Sequence, residues 1–155
     1  MCANRFTVQE VPWQTQSAAL YAVRRQVFIV EQGVPAQIEI DEWDPLSRHV
    51  LAIDVNGGPV GCGRLLPDGH IGRMAVLAEG RGKGVGQQIL QTLITMAESG
   101  GITHILLSAQ THALGFYEKA GFVAEGPIYE EAGIPHRAMS LNLPRRTVLD
   151  GQSPL

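Results

Sequence analysis

The chain reads as a single α/β (α+β) domain on one mixed central sheet, with about six to seven strands flanked by about four helices. Three observations predict it. Strand-length apolar runs and amphipathic helical stretches follow one another as β, α, a β meander, α, β, α and a final β pair. Tight turns demand antiparallel pairing and helical crossovers permit parallel pairing, so a chain with both makes a mixed sheet. Finally, 155 residues at 45% hydrophobic and 17% charged suit one domain able to bury a full core.

Phe6 to Val11 alternates apolar and polar residues until Pro12, giving a first strand. From Thr15 to Val30 the apolar Leu20, Val23, Val27 and Val30 recur at helical spacing, with Arg24, Arg25 and Gln26 opposite and Thr15 or Ser17 as cap. Gly33 and Pro35 stop that helix, and Gln37 to Asp44 follows as an acidic loop. His49 to Val55 and Val60 to Leu66 are strands joined at Gly57-Gly58, and His70 to Leu77 is a third after Pro67-Asp68-Gly69. Val85, Ile89, Leu93 and Met96, widened by Leu90, Ile94 and Ala97, mark a helix ending at Gly100-Gly101. Ile102 to Leu107 is a strand, and Ala113 to Ala120 a short helix closed by Gly121 in a left-handed cap. The last pair begins at Phe122 and at His136, with Gly126-Pro127 and Gly133-Ile134-Pro135 as an irregular connection and Leu143 as the end. Residues 1–143 form the domain, and 144–155 are polar and aperiodic, as in a loose tail.

A net charge of −3 argues against an electrostatic grip on nucleic acid or an anionic membrane. No stretch approaches the roughly 18 apolar residues of a membrane span. Gln9, Glu10, Gln14, Gln16 and Ser17 interrupt any signal core, and Cys2 and Cys62 are too few for a zinc site and poorly placed for a structural disulfide. The expectation is a cytoplasmic protein with no metal and neither nucleic acid nor membrane as partner.

The chemistry concentrates in the glycines, Gly80, Gly82, Gly84 and Gly86, which alternate just ahead of the second long helix. Arg81-Gly82-Lys83-Gly84-Val85-Gly86 joins a strand to a helix N-terminus, where missing Cβ atoms let backbone N–H groups approach an anion and the helix end adds positive potential. Phosphate is the natural ligand, with Arg81 and Lys83 reinforcing it. A Walker loop needs a hydroxyl residue after its lysine, but Lys83 precedes Gly84. A dinucleotide fingerprint needs a third glycine where Val85, Gln87 and Ile89 stand.

"IGRMAVLAEGRGKGVGQQIL" (Ile71 to Leu90) resembles the acetyl-CoA-binding motif of the GNAT superfamily of N-acetyltransferases, whose core pattern is met by Arg81, Gly84 and Gly86. "HALGFYEKAGFVAEG" (His112 to Gly126) is similar to the second signature of that superfamily, Phe116-Tyr117 followed by Gly121-Phe122. "RRQVFIVEQGVP" (Arg24 to Pro35) and "YEEAGIPHRAM" (Tyr129 to Met139) further resemble the ElaA-like branch.

The resemblance implies a GNAT-like domain whose central strands, His70–Leu77 and Ile102–Leu107, splay apart. It places the CoA pyrophosphate on Arg81, Gly82, Lys83, Gly84, Val85, Gly86 and Gln87, and the pantetheine arm along the backbone of Met74, Ala75 and Val76. It makes Tyr117 the general acid that protonates the departing thiolate, although a phenol on a short helix also packs as a core aromatic. His70 falls where another branch keeps its base, or is simply an exposed residue after a turn; Glu31, Glu42, His49 and His136 are rivals. The implied activity is acetyl transfer from acetyl-CoA to a primary amine by direct attack in a ternary complex, without metal. The alternative is a CoA-binding module without catalysis. The run Glu39, Asp41, Glu42, Asp44 either attracts a cationic amine or is a polar loop, and Cys62 reads as a small buried strand residue. The identity of the amine is left open, as is a homodimer.

Overall fold

The computed structural model describes residues 6–144; Cys2 and the tail expected at the C-terminus lie outside them, apart from Pro144. Strands β1 (Phe6–Val11), β2 (Arg48–Asp54), β3 (Pro59–Leu65), β4 (His70–Val76), β5 (His104–Gln110), β6 (Val123–Glu131) and β7 (Ile134–Asn142) form one seven-stranded sheet in the order β1-β2-β3-β4-β5-β7-β6. Four α-helices accompany it among the described residues: α1 (Trp13–Arg24), α2 (Ala36–Glu39), α3 (Val85–Ser99) and α4 (Leu114–Glu118). The expected mixed sheet is present. Neighbours are antiparallel except β4 and β5, whose parallel register covers only His70 with Leu106 and Ile71 with Leu107. Beyond Ile71 the strands part. Arg73 at φ 48 and a register shift between Cys62 and Arg64 on β3 mark where β4 bends.

Both faces of the sheet are covered, so alternate residues of one strand enter different cores. On β2, Val50 and Ala52 join Ile89, Leu93 and Ala97 of α3, while Leu51 joins Leu20 and Val23 of α1; all are buried. Glycine sets how closely α3 lies. A Cβ on Gly61 would stand 2.8 Å from Ile89 Cδ1, and one on Gly63 2.7 Å from Leu93 Cδ1. No helix among the described residues is long and apolar enough to cross a membrane.

Several elements depart from the sequence reading, among them the expected acidic loop from Gln37 to Asp44, whose first residues belong to α2 because Pro35 at its N-cap starts a helical turn rather than ending one. The first helix starts at Trp13 with Pro12 at its N-cap, so neither Thr15 nor Ser17 caps it. After Arg24 it widens into a π-helical stretch, Arg25–Glu31, in which the Gln32 N–H reaches the Val27 carbonyl at 3.1 Å. The wider turn carries Val30 off the core face, leaving it 52% exposed. Gly126-Pro127 is a bulge inside β6, where register shifts between Glu125 and Tyr129, and the reversal falls at Ala132-Gly133, both at positive φ. The third helix is shorter than expected: a 3₁₀ turn, Thr111–Ala113, leads into α4, though Gly121 does take the left-handed cap at φ 101.

Candidate active site

Where β4 and β5 part, backbone groups lose the partners a sheet would give them, and a cleft of about 830 Å³ opens. Its walls come from Met74, Ala75 and Val76 on β4, Ser108 and Gln110 on β5, His136 on β7, Phe28, Glu31 and Gln32 of the π-helical stretch, and Tyr117 of α4. Gln110 and Gln32 bond each other across the opening, Nε2 to Oε1 at 2.9 Å, and nothing in the sequence flags that tie.

The glycine loop lies at one end, with Arg81 on the cleft wall. Gly84 caps α3 in the left-handed region at φ 86, and Gln88 is the first amide to find a helical partner, the Gly84 carbonyl at 3.1 Å. Among the described residues no acceptor meets the N–H groups from Gly82 to Gln87. A Cβ at Gly82 or Gly84 would touch nothing within 4 Å, so the space over the loop is open, whereas Gly86 is closed by Phe116 Cζ at 3.5 Å. Gly80 belongs to the protein interior: it is buried, and a Cβ there would stand 3.3 Å from Val76 Cγ1. Arg81 donates to the Val76 carbonyl at 2.9 Å and to Glu31 Oε1 at 2.5 Å, and Lys83 Nζ to the Glu79 carbonyl at 2.9 Å. Unpaired amides, an arginine and a lysine around open space suit a pyrophosphate.

Tyr117 is half-buried, its ring edge-on to Phe116 at 5.0 Å and to Phe122 at 6.0 Å, and its hydroxyl is 3.8 Å from Met74 Sδ. Burial pushes the phenol up to about 12. It therefore packs as an aromatic, and like Met74 beside its hydroxyl it lines the cleft. His70 stands at the closed end of the splay, opposite Leu106, half-exposed, with Nδ1 2.9 Å from Asp68 Oδ1. That hydrogen bond holds the Asp68 carboxyl below its ordinary range.

The rivals separate cleanly. Glu31 is paired with Arg81, and Glu42 is exposed on a turn outside the cleft. His49 is buried beside Trp13, its Nε2 donating to the Asp44 carbonyl at 2.8 Å, and desolvation lowers its pKa. His136 lines the cleft with Nδ1 2.7 Å from the Ile134 carbonyl. Cys62 is 1% exposed on β3, and burial pushes its thiol up to about 12, which leaves it inert as a nucleophile.

The acidic loop is not a lure for an amine. Glu39 and Asp44 are buried, and Arg24, itself 1% exposed, donates to Glu39 Oε2 at 2.7 Å and to Asp44 Oδ1 at 2.8 Å. Arg64 adds Asp41 Oδ1 at 2.8 Å and Asp44 Oδ1 at 3.0 Å, and Arg73 reaches Asp41 Oδ2 at 3.1 Å. Carboxylates neutralised by three arginines project little field toward a cation; Glu42 alone of the run has no such partner among the described residues. Burial would raise the Asp44 carboxyl, but hydrogen bonds and charge from Arg24 prevail and hold it at about 2. The network fixes the segment carrying Ile38 and Glu39 onto the cleft wall. The sequence reading set Arg24 opposite the apolar stripe, and the structure corrects it: Arg24 falls one turn after Leu20 and is buried with Leu20 and Val23, where its charge is met by Glu39 and Asp44.

Residues 4–143 match the family described as the acetyltransferase (GNAT) domain. The chain belongs to the GNAT acetyltransferase family. This GNAT domain is 42% identical over 123 residues to YjcF of Bacillus subtilis, described as an uncharacterized N-acetyltransferase, covering 77% of this chain and 87% of that one. An acyl-CoA N-acyltransferase from Pseudomonas aeruginosa has the same fold at TM-score 0.78 and 32% identity, covering 87% of this GNAT domain and 98% of that chain. ElaA from Escherichia coli matches at TM-score 0.77 and 34% identity, with the same coverage of 87% and 98%. The splayed strands, the open glycine loop and α4 all lie within the residues matched to that family.

Proposed function

We propose that this protein transfers an acetyl group from acetyl-CoA to a primary amine by direct attack within a ternary complex. The observation that carries the reading is the row of unpartnered amides from Gly82 to Gln87, which follows Arg81 on the wall of the cleft between β4 and β5. Arg81, Gly82, Lys83, Gly84, Val85, Gly86 and Gln87 bind the pyrophosphate, through amides and two cationic side chains. Met74, Ala75 and Val76 offer the edge of β4 to the amides of the pantetheine arm, as a sheet edge accepts an added strand. Acetyl-CoA supplies the activated acyl group as its thioester.

Tyr117 serves the departing sulfur. With its phenol held at about 12 and a thiol reference of about 8.5, full proton transfer to a thiolate is uphill by roughly 3.5 pH units, on the order of 5 kcal/mol. Tyr117 therefore acts as a relay, giving its proton to sulfur as it receives one from the acylated nitrogen. The resemblance also offers His70 as a candidate base, but it stands at the cleft's closed end with Nδ1 bonded to Asp68.

Calorimetry with acetyl-CoA, followed by a thiol-release screen over primary amines, tests the reading. Binding with turnover on an amine is the expected result. Binding with no turnover on any amine turns the protein into a CoA-binding module, and a plain nucleotide competing as well as CoA removes the acetyl-CoA assignment.

A further inference from the structure

We infer that His136 takes the proton from the incoming amine, a role that rests on the acetyl-transfer reading above. A carbonyl oxygen only accepts, so the 2.7 Å contact between His136 Nδ1 and the Ile134 carbonyl puts the hydrogen on Nδ1 and leaves Nε2 a lone pair. The ring is only 8% exposed and lines the cleft. Nε2 has no partner among the described residues, yet it is not among the polar atoms sealed from solvent. Tyr129 stacks on the ring at 6.2 Å and 25°, and is itself held by Ser108 Oγ, so the imidazole is fixed in place.

Position favours His136 over His70. His136 is the register partner of Gln110 at the far end of β5, where β4 has already separated and the cleft is open. His70 pairs with Leu106 at the closed end, and its Nδ1 is turned to the exposed Asp68. The elements packed against His136 carry Glu125, Tyr129, Glu130 and Glu131 on β6, His104 on β5 and His112 ahead of α4; of these Tyr129 stacks on the ring and Glu131 and His112 line the cleft, with Arg137 next along β7 bonded to the Gly126 carbonyl. Across the cleft stand His70 and carboxylates already engaged, Glu31 with Arg81 and Glu39 with Arg24 and Arg73; Arg64 on that side is paired with Asp41 and Asp44.

The protons balance. The amine arrives as an ammonium, Nε2 takes one proton, and the neutral nitrogen forms the C–N bond to the thioester carbonyl carbon. The C–S bond breaks with its electron pair on sulfur, which takes the Tyr117 proton, and the nitrogen's second proton restores Tyr117. His136 returns its proton to water through the cleft. Ammonium and thioester become amide, thiol and one free proton.

His136→Asn keeps an N–H for the Ile134 carbonyl and removes the base. With lysine amide, 2-phenylethylamine and spermidine as acceptors, it should lower kcat/KM at pH 7 by on the order of 10²–10⁴-fold with acetyl-CoA affinity unchanged. The deficit should close as pH rises toward the amine's own pKa, about 10.4 for a lysine side chain, because a free amine needs no base. A wild-type pH profile in the variant overturns the role, as does loss of the acidic limb in His70→Asn instead. Long-range ¹⁵N NMR of the neutral imidazole in the wild-type protein should show hydrogen on Nδ1 of His136 and none on Nε2; the opposite tautomer also overturns it. If the wild type neither binds acetyl-CoA nor releases thiol with any amine, the acetyl-transfer reading itself falls and takes this role with it. If only the variant behaves like wild type, the reading stands and His136 alone is removed.

Discussion

Tyr117 and Gly84 place two separable demands on single residues. Tyr117→Phe keeps the ring between Phe116 and Phe122 and removes only the hydroxyl near Met74, so kcat should fall on the order of 10²–10⁴-fold while calorimetric acetyl-CoA affinity stays nearly constant. Equal turnover would strip Tyr117 of its proton role. Gly84→Val forces a β-branched residue into φ 86 and puts its side chain into the open space over the loop. Strain of roughly 1–3 kcal/mol and the blocked approach should together weaken acetyl-CoA at least about tenfold. Undiminished affinity would show that the loop does not hold the pyrophosphate. The glycine loop ahead of α3 was legible because its signal is local: alternating glycines, two cations and a helix start within a few residues. The Nδ1 contact of His136 was not, since it depends on how the β7 backbone folds back at Ile134.

The segment from α1 to β2 depends on Arg24 as one element. Arg24→Ala leaves Glu39 and Asp44 as buried carboxylates without their main partner, and should cost about 3–5 kcal/mol, read as a drop in Tm. Asp44 gives the network a pH signature. Its folded pKa of about 2 lies below the reference of 3.8, so its contribution is complete above about pH 4 and is lost as pH falls toward 2. Acid unfolding of the wild type should therefore steepen in that window, and in Arg24→Ala the acid limb should begin at higher pH. An unchanged acid limb would mean that Asp44 is not held by Arg24. Element boundaries tell the same story: α3 was legible from its apolar stripe and flanking glycines, whereas the π-helical stretch keeps a helical pattern in sequence while its geometry shifts Val30 outward.

At the level of the whole molecule, β4 and β5 are joined by two registered pairs, so the halves of the sheet meet through a narrow seam and through what bridges the cleft. A ligand that satisfies the β4 edge and the loop amides binds the folded state alone. Acetyl-CoA at about a hundred times its Kd should thus stabilise the protein by roughly 2.7 kcal/mol, visible as a rise in Tm. Gly84→Val should lose that rise while keeping most of its unliganded stability. A Tm indifferent to acetyl-CoA in the wild type would contradict binding at the seam.

The sequence by itself determined the order of strands and helices, the glycine loop, and membership of the GNAT family, because turn chemistry, periodicity and short motifs act over neighbouring residues. Tertiary structure alone decided which charges are hidden and which line the cleft. Arg24 lies 15 residues from Glu39 and 20 from Asp44, and Gln32 lies 78 from Gln110. A carboxylate's field depends on the cations folded against it, so the same acidic run that looks like a lure in sequence becomes an internal brace once three arginines close on it.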